Sequence, residues 1–93
     1  MPTYRVEFAS TKVTKDLDKI APKQRQQIVS ALETLREYPN VPGCRKLRGY
    51  RDIYRLRSGD YRIAFEVKQT RELIVILLIK HRKEIYQKLS TIV

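Results

Sequence analysis

Polar and apolar side chains alternate over residues 4–8, between Pro2 and the pair Ser10-Thr11. That pattern predicts a first strand running into a helix cap. Val13, Leu17 and Ile20 then recur at helical spacing. Pro22 suits the first turn of a second helix, where its missing N–H would have no partner in any case. Ile28, Ala31, Leu32, Leu35 and Tyr38 make an apolar stripe opposite Lys23, Arg25, Gln26 and Gln27, and Pro39 ends it. Two antiparallel helices are expected, followed by a loop over residues 40–43.

From Arg45 the period changes from helical to alternating, with residues 46–48, 52–57, 61–68 and 72–79 as strand candidates punctuated by Gly49 and Gly59. Residues 73–79 are continuously apolar and rich in Ile and Val, which predicts a central strand covered on both faces. Ile85, Tyr86 and Leu89 fit a short terminal helix. Internal repeats and low-complexity stretches are lacking. The expectation is one α+β domain over residues 1–93, with two N-terminal helices packed on a mainly antiparallel four-stranded sheet and a short C-terminal helix.

Ser58-Gly59 reads as a two-residue hairpin turn. In that register Arg57 faces Asp60, Leu56 faces Tyr61, Arg55 faces Arg62 and Tyr54 faces Ile63. Tyr54, Leu56, Tyr61, Ile63, Phe65 and Val67 then share a core face, and Arg55, Arg57 and Arg62 share the other. Opposed like charges on neighbouring strands are destabilising, and a bound anion relieves them. Guanidinium groups suit two-pronged contact with phosphate, whereas a merely solvated face would use arginine stems to cover apolar surface.

Charge strengthens the case for a polyanion. Twenty Lys and Arg stand against ten Asp and Glu, a net charge of +10. Residues 1–44 hold seven basic and five acidic side chains, and residues 45–93 hold thirteen and five. The positive field therefore belongs to the second half, where it steers polyanions and releases their counterions. Lys46, Arg48, Lys80 and Arg82 extend that field as expected RNA contacts. A single cysteine, Cys44, allows no internal disulfide and suggests no Cys-based metal site. Neither a long apolar run nor a signal-peptide pattern is seen, so a cytoplasmic protein without membrane contact is expected.

The one histidine, His81, follows the apolar strand in Lys80-His81-Arg82, and Tyr86 lies five residues on. Cleaving an RNA phosphodiester needs a base for the 2′-hydroxyl, an acid for the leaving 5′-oxygen, and cations for the charge that develops. Imidazole exchanges protons near neutrality, phenol can act as an acid or base, and the arginines supply charge. Ordinary roles compete: a surface histidine, and a tyrosine that packs the last helix. Neither metal nor cofactor is implied.

Lys46-Leu47-Arg48-Gly49, Tyr54-Arg55-Leu56-Arg57, Gly59-Asp60-Tyr61-Arg62 and His81-Arg82-Lys83-Glu84-Ile85-Tyr86 together resemble the RelE/ParE superfamily of bacterial and archaeal toxins. The resemblance covers nearly the whole chain. It implies a type II toxin with a protein antitoxin as partner and, on the RelE branch, cleavage of mRNA in the ribosomal A site by 2′-hydroxyl attack. Arg55 and Arg57 match the basic pair before the hairpin turn, Arg62 the arginine after it, and Tyr86 the terminal-helix tyrosine. His81 falls near a position filled by arginine or histidine. The catalytic set implied is Arg57, Arg62, His81 and Tyr86, with Arg55 binding RNA. Some relatives place a glutamate base before the first hairpin strand, where this chain has basic and apolar residues. The base is then Tyr86, His81 or a basic group of lowered pKa. A ParE-like inhibitor of DNA gyrase is the alternative, and a non-catalytic RNA-binding protein a third.

Overall fold

The alternation near the N-terminus becomes β1 (Arg5–Phe8), followed by α1 (Thr11–Asp18) and α2 (Pro22–Thr34). Then come β2 (Cys44–Lys46), β3 (Ile53–Ser58), β4 (Tyr61–Lys68), β5 (Leu73–His81) and α3 (Ile85–Leu89). This is the order in the computed structural model, which describes residues 3–91. Pro22 sits at the start of α2, as its missing N–H favours.

The described residues form one five-stranded sheet in the order β1-β5-β4-β3-β2. β2 to β5 pair antiparallel, as alternation and short turns require. The fifth strand corrects the expected four: β1 joins β5 in parallel, Arg5 beside Leu73 through Phe8 beside Ile76. A parallel partner lies far away in sequence, so local alternation identifies the strand and not its place. Because β1 stops at Phe8, the second half of β5 has no strand on that edge. α1 packs there instead, and Asp16 reaches Lys80 at 3.0 Å.

Each face of the sheet carries a core. On one, Val13, Leu17, Ile28, Leu32 and Leu35 of the helical layer close over Ile63, Phe65, Val67, Ile74, Ile76 and Ile79. Burying a large apolar side chain of this kind contributes about 1.5–3 kcal/mol. On the other, α3 lays Ile85 and Leu89 against Leu47, Ile53 and Ala64. No helix among the described residues is long and apolar enough to cross a membrane.

Two local features decide which side chains meet. The hairpin turns at Gly59-Asp60 rather than Ser58-Gly59, pairing Ser58 with Tyr61, Arg57 with Arg62, Leu56 with Ile63 and Arg55 with Ala64. Gly59 takes φ +57 at the first central position, a conformation glycine adopts without a Cβ clash. This corrects the expected pairing of Arg55 with Arg62. The face assignment survives, because a shift of two residues preserves the alternation.

The second feature is an irregularity in β5. Ala64 pairs with Leu78 but Phe65 pairs with Ile76, which leaves Leu77 as an extra residue. A bulge of this kind reverses the parity of every residue beyond it. Ile74 and Ile76 face the helical layer, and after the bulge so do Ile79 and His81, while Leu78 and Lys80 turn the other way.

Candidate nucleic-acid interface

Alternation on three strands puts a row of cations across the face opposite α1 and α2. Arg57 of β3 lies beside Arg62 of β4, and Arg62 lies beside Lys80 of β5. In the neighbouring row Arg45 of β2 lies beside Arg55 of β3, which faces the buried Ala64. Directly opposed residues on antiparallel strands hold their Cβ atoms about 4.5–5.5 Å apart, so these charges are crowded rather than merely numerous.

Arg62 is fixed at the hairpin end. Its Nη1 donates to the carbonyls of Gly59, at 2.8 Å, and Tyr61, at 2.9 Å. Partial burial, then Arg55 and Arg57, lower its proton affinity below the ordinary arginine range, with Arg82 adding to the effect and Tyr86 opposing it. Guanidinium remains charged at neutral pH all the same. Among the described residues, Nε of Arg55 is buried without a hydrogen-bond partner. An unsatisfied donor on a charged group is costly, and costs of this kind concentrate at functional sites.

α3 brings Tyr86 to this face. Ile85 and Leu89 are fully buried, and Tyr86 between them is 54% exposed. Arg82 is tied to the hairpin turn through its N–H to the Asp60 carbonyl at 2.8 Å, and its Nε lies 3.8 Å from an Asp60 carboxylate oxygen. Arg55, Arg57, Arg62, Arg82 and Tyr86 are thus the expected site residues that the fold brings together. The arrangement can hold a phosphate between guanidinium groups and present a phenol beside it.

The others lie elsewhere. His81 points to the helical layer, edge-on to Tyr61 with ring centroids 5.7 Å apart. Its Nδ1 accepts the Lys83 backbone N–H at 3.2 Å. Simple alternation from Ile76 would have put His81 among the arginines, and the bulge at Leu77 is the physical reason it is not there. Lys80 starts on the arginine face, but its ammonium group is drawn to Asp16 and mostly buried. Lys46 shares the helical side of the edge strand with Cys44, and Arg48 is exposed in the turn beyond β2. Arg45 was missed. Alternation counted from Cys44 would have found it, but the six residues between β2 and β3 give no turn from which to fix the register.

An arginine-lined sheet face with a small helix beside it, on a two-core α+β domain, defines the class of protein. Residues 8–86 match the family described as the ParE toxin of type II toxin-antitoxin systems, parDE. The chain belongs to the RelE/ParE superfamily of toxins of type II toxin-antitoxin systems. Toxin RelE3 of Methanocaldococcus jannaschii is 34% identical over 86 residues, covering 88% of this chain and 94% of that protein. The archaeal RelE-RelB complex from Pyrococcus horikoshii superposes with a TM-score of 0.72 at 34% identity, over 86% of this chain and 96% of the other. A mutant E. coli toxin RelE in the free state superposes at 0.75 with 25% identity, over 98% and 99% of the two chains.

Proposed function

We propose that this toxin is a ribosome-dependent, metal-independent endoribonuclease acting on mRNA in the cytoplasm. The observation that carries the reading is the in-register pair Arg57 and Arg62, with the unsatisfied Arg55 Nε in the next row and an exposed Tyr86 phenol on the same face. In the reaction the RNA 2′-oxygen attacks the adjacent phosphorus and the P–O5′ bond breaks. The products are a 2′,3′-cyclic phosphate and a 5′-hydroxyl. Arg57 and Arg62 hold the extra charge on the phosphoryl oxygens. Removing a donor of this kind from other enzymes costs about 100- to 1000-fold in rate. Tyr86 is the proton-transfer group at the reacting oxygens, and Arg45, Arg55 and Arg82 hold the backbone on either side.

A phenol and a set of arginines organise a flexible RNA poorly by themselves. Holding reactants in an attack geometry can supply roughly 7–11 kcal/mol of the barrier, and the ribosomal A site supplies that positioning here. Free RNA should therefore be cut slowly.

A cognate antitoxin is the second partner we propose. The similar P. horikoshii toxin is seen in a RelE-RelB complex, and the basic face of this chain suits an acidic or amphipathic segment. Such a segment would block RNA by covering the arginines or displacing α3.

The match to the ParE family favours a second reading, a toxin that inhibits DNA gyrase by binding alone. One experiment separates the two. The protein is incubated with programmed ribosomes carrying end-labelled mRNA and, in parallel, with gyrase and relaxed plasmid. Codon-register cleavage leaving 5′-hydroxyl ends, with supercoiling unaffected, supports the nuclease. Intact mRNA with blocked supercoiling overturns it.

A further inference from the structure

We propose that His81 is a positioning residue: it clamps the turn that carries Arg82 and Tyr86 onto the arginine face, and it exchanges no proton with RNA. The inference deepens the nuclease reading and rests on it for its kinetic consequence, though not for its geometry.

β5 ends with the His81 ring toward α1, while α3 packs on the opposite face of the sheet. The chain crosses the end of the sheet in three residues, Arg82, Lys83 and Glu84. Three backbone N–H groups in that crossing are satisfied, and His81 takes two of them. The Lys83 N–H donates to Nδ1 at 3.2 Å and the Glu84 N–H to the His81 carbonyl at 2.8 Å, while the Arg82 N–H goes to Asp60. Tyr61 holds the ring edge-on from the neighbouring strand.

A side-chain acceptor for the N–H two residues on is the local bond by which short polar side chains shape turns. Here it fixes where the next residues start. α3 has five residues, far below the ~12–15 at which an isolated helix holds itself in water. Its place therefore depends on Ile85, on Leu89 and on the turn before it.

The ring lines a cavity of about 240 Å³ on the helical side of the sheet. The charged and titratable groups that face it are Asp16 and Lys19 from α1 and its end, Tyr61 from β4, Lys80 from β5 and Glu84 from the turn. The arginine row lies on the other face.

The test compares wild type, His81→Ala and His81→Asn in two measurements. Hydrogen exchange of the Lys83 and α3 amides is followed on the toxin alone, and mRNA cleavage on programmed ribosomes is followed in single turnover, with ribosome affinity measured separately. In His81→Ala those amides should exchange at least about tenfold faster, since local opening sets their protection. Its cleavage rate constant should fall roughly 10- to 100-fold with ribosome affinity unchanged, as a small misplacement of reacting groups can do.

Asparagine offers an acceptor oxygen to the same N–H and cannot act as a general acid or base. His81→Asn should therefore keep amide protection and keep its rate to within about threefold. His81→Asn cutting as slowly as His81→Ala with its amides protected would overturn the proposal, because the ring would then be doing proton chemistry. Unchanged exchange in His81→Ala would overturn it too. If wild type fails to cut ribosome-bound mRNA, the nuclease reading falls by itself, and the exchange data still decide the clamp.

Discussion

Arg57 and Arg62 face each other on β3 and β4, and the consequence for stability can be worked out. Opposed like charges on a sheet cost about 0.2–1 kcal/mol. Coulomb's law agrees, since two unit charges ~6 Å apart in water repel by about 0.7 kcal/mol. Among the described residues the Arg57 side chain is exposed and makes neither hydrogen bond nor ion pair, so Arg57→Gln removes the repulsion, keeps the stem and breaks nothing. The variant should be more stable by that amount. For a domain of this size the melting temperature should rise by about 1–8 °C. The gain should vanish in 1 M salt, where the screening length falls to about 3 Å. Cleavage on ribosomes should drop roughly 100-fold, because a cation at the developing phosphorane is lost. Thermal melts at low and high salt, beside single-turnover mRNA cleavage, measure both. A variant that melts no later than wild type at low salt and cuts normally would refute the crowding and the phosphate site together.

Arg62→Ala should behave differently in a melt. It relieves the same repulsion but loses two carbonyl bonds worth about 0.5–1.5 kcal/mol each, so it should melt earlier than Arg57→Gln while losing at least ~100-fold in cleavage. Tyr86→Phe should leave thermal stability unchanged, since the side chain is largely exposed, and should lower the cleavage rate by about 100- to 10,000-fold with ribosome binding intact in a sedimentation assay. Burial raises the Cys44 thiol above its ordinary value, against a lowering effect of Arg55. Alkylation by iodoacetamide at neutral pH should therefore be slower than for a free cysteine derivative and should speed up in urea.

The helices, β3 and β4 were legible because each carries a strong local period: Ile28, Leu32 and Leu35 for α2, and Leu56, Ile63 and Phe65 for the hairpin. The arginine face was legible for the same reason, since it is the complement of a well-marked core face. What failed were features set by non-local pairing or by one residue of backbone. Ser58-Gly59 and Gly59-Asp60 are both acceptable turns locally, and the pairing of Arg57 with Arg62 is decided by how Leu56 meets Ile63 and Tyr54 meets Phe65. Leu77 is invisible as a bulge because all residues from 73 to 79 are apolar, and an alternation that is not expressed cannot show where it breaks. Lys80 and His81, two expected site residues that the fold places elsewhere, lie just beyond that residue. Arg45 was hidden by a different cause, an edge strand of three residues joined to its neighbour by a loop without a fixed turn.

The division of the sheet into two unequal cores bears on function as well as folding. The larger core, under α1 and α2, contains Phe65 and most of the fully buried isoleucines, and it holds β3 and β4 in register whatever lies on the far side. That surplus tolerates the crowded arginines, each pair of which opposes folding by about 1 kcal/mol or less. The smaller core depends on Ala64, whose short side chain leaves room for Ile85 and Leu89 to close over the sheet. Arg55 lies directly across from Ala64, so the small residue that admits α3 also has beside it the guanidinium whose Nε lacks a partner among the described residues. Tyr86 therefore reaches the arginines through a packing contact rather than through a strand. Displacement of α3 would remove the phenol and leave the cations in place, so under the proposed nuclease reading it would separate cutting from binding.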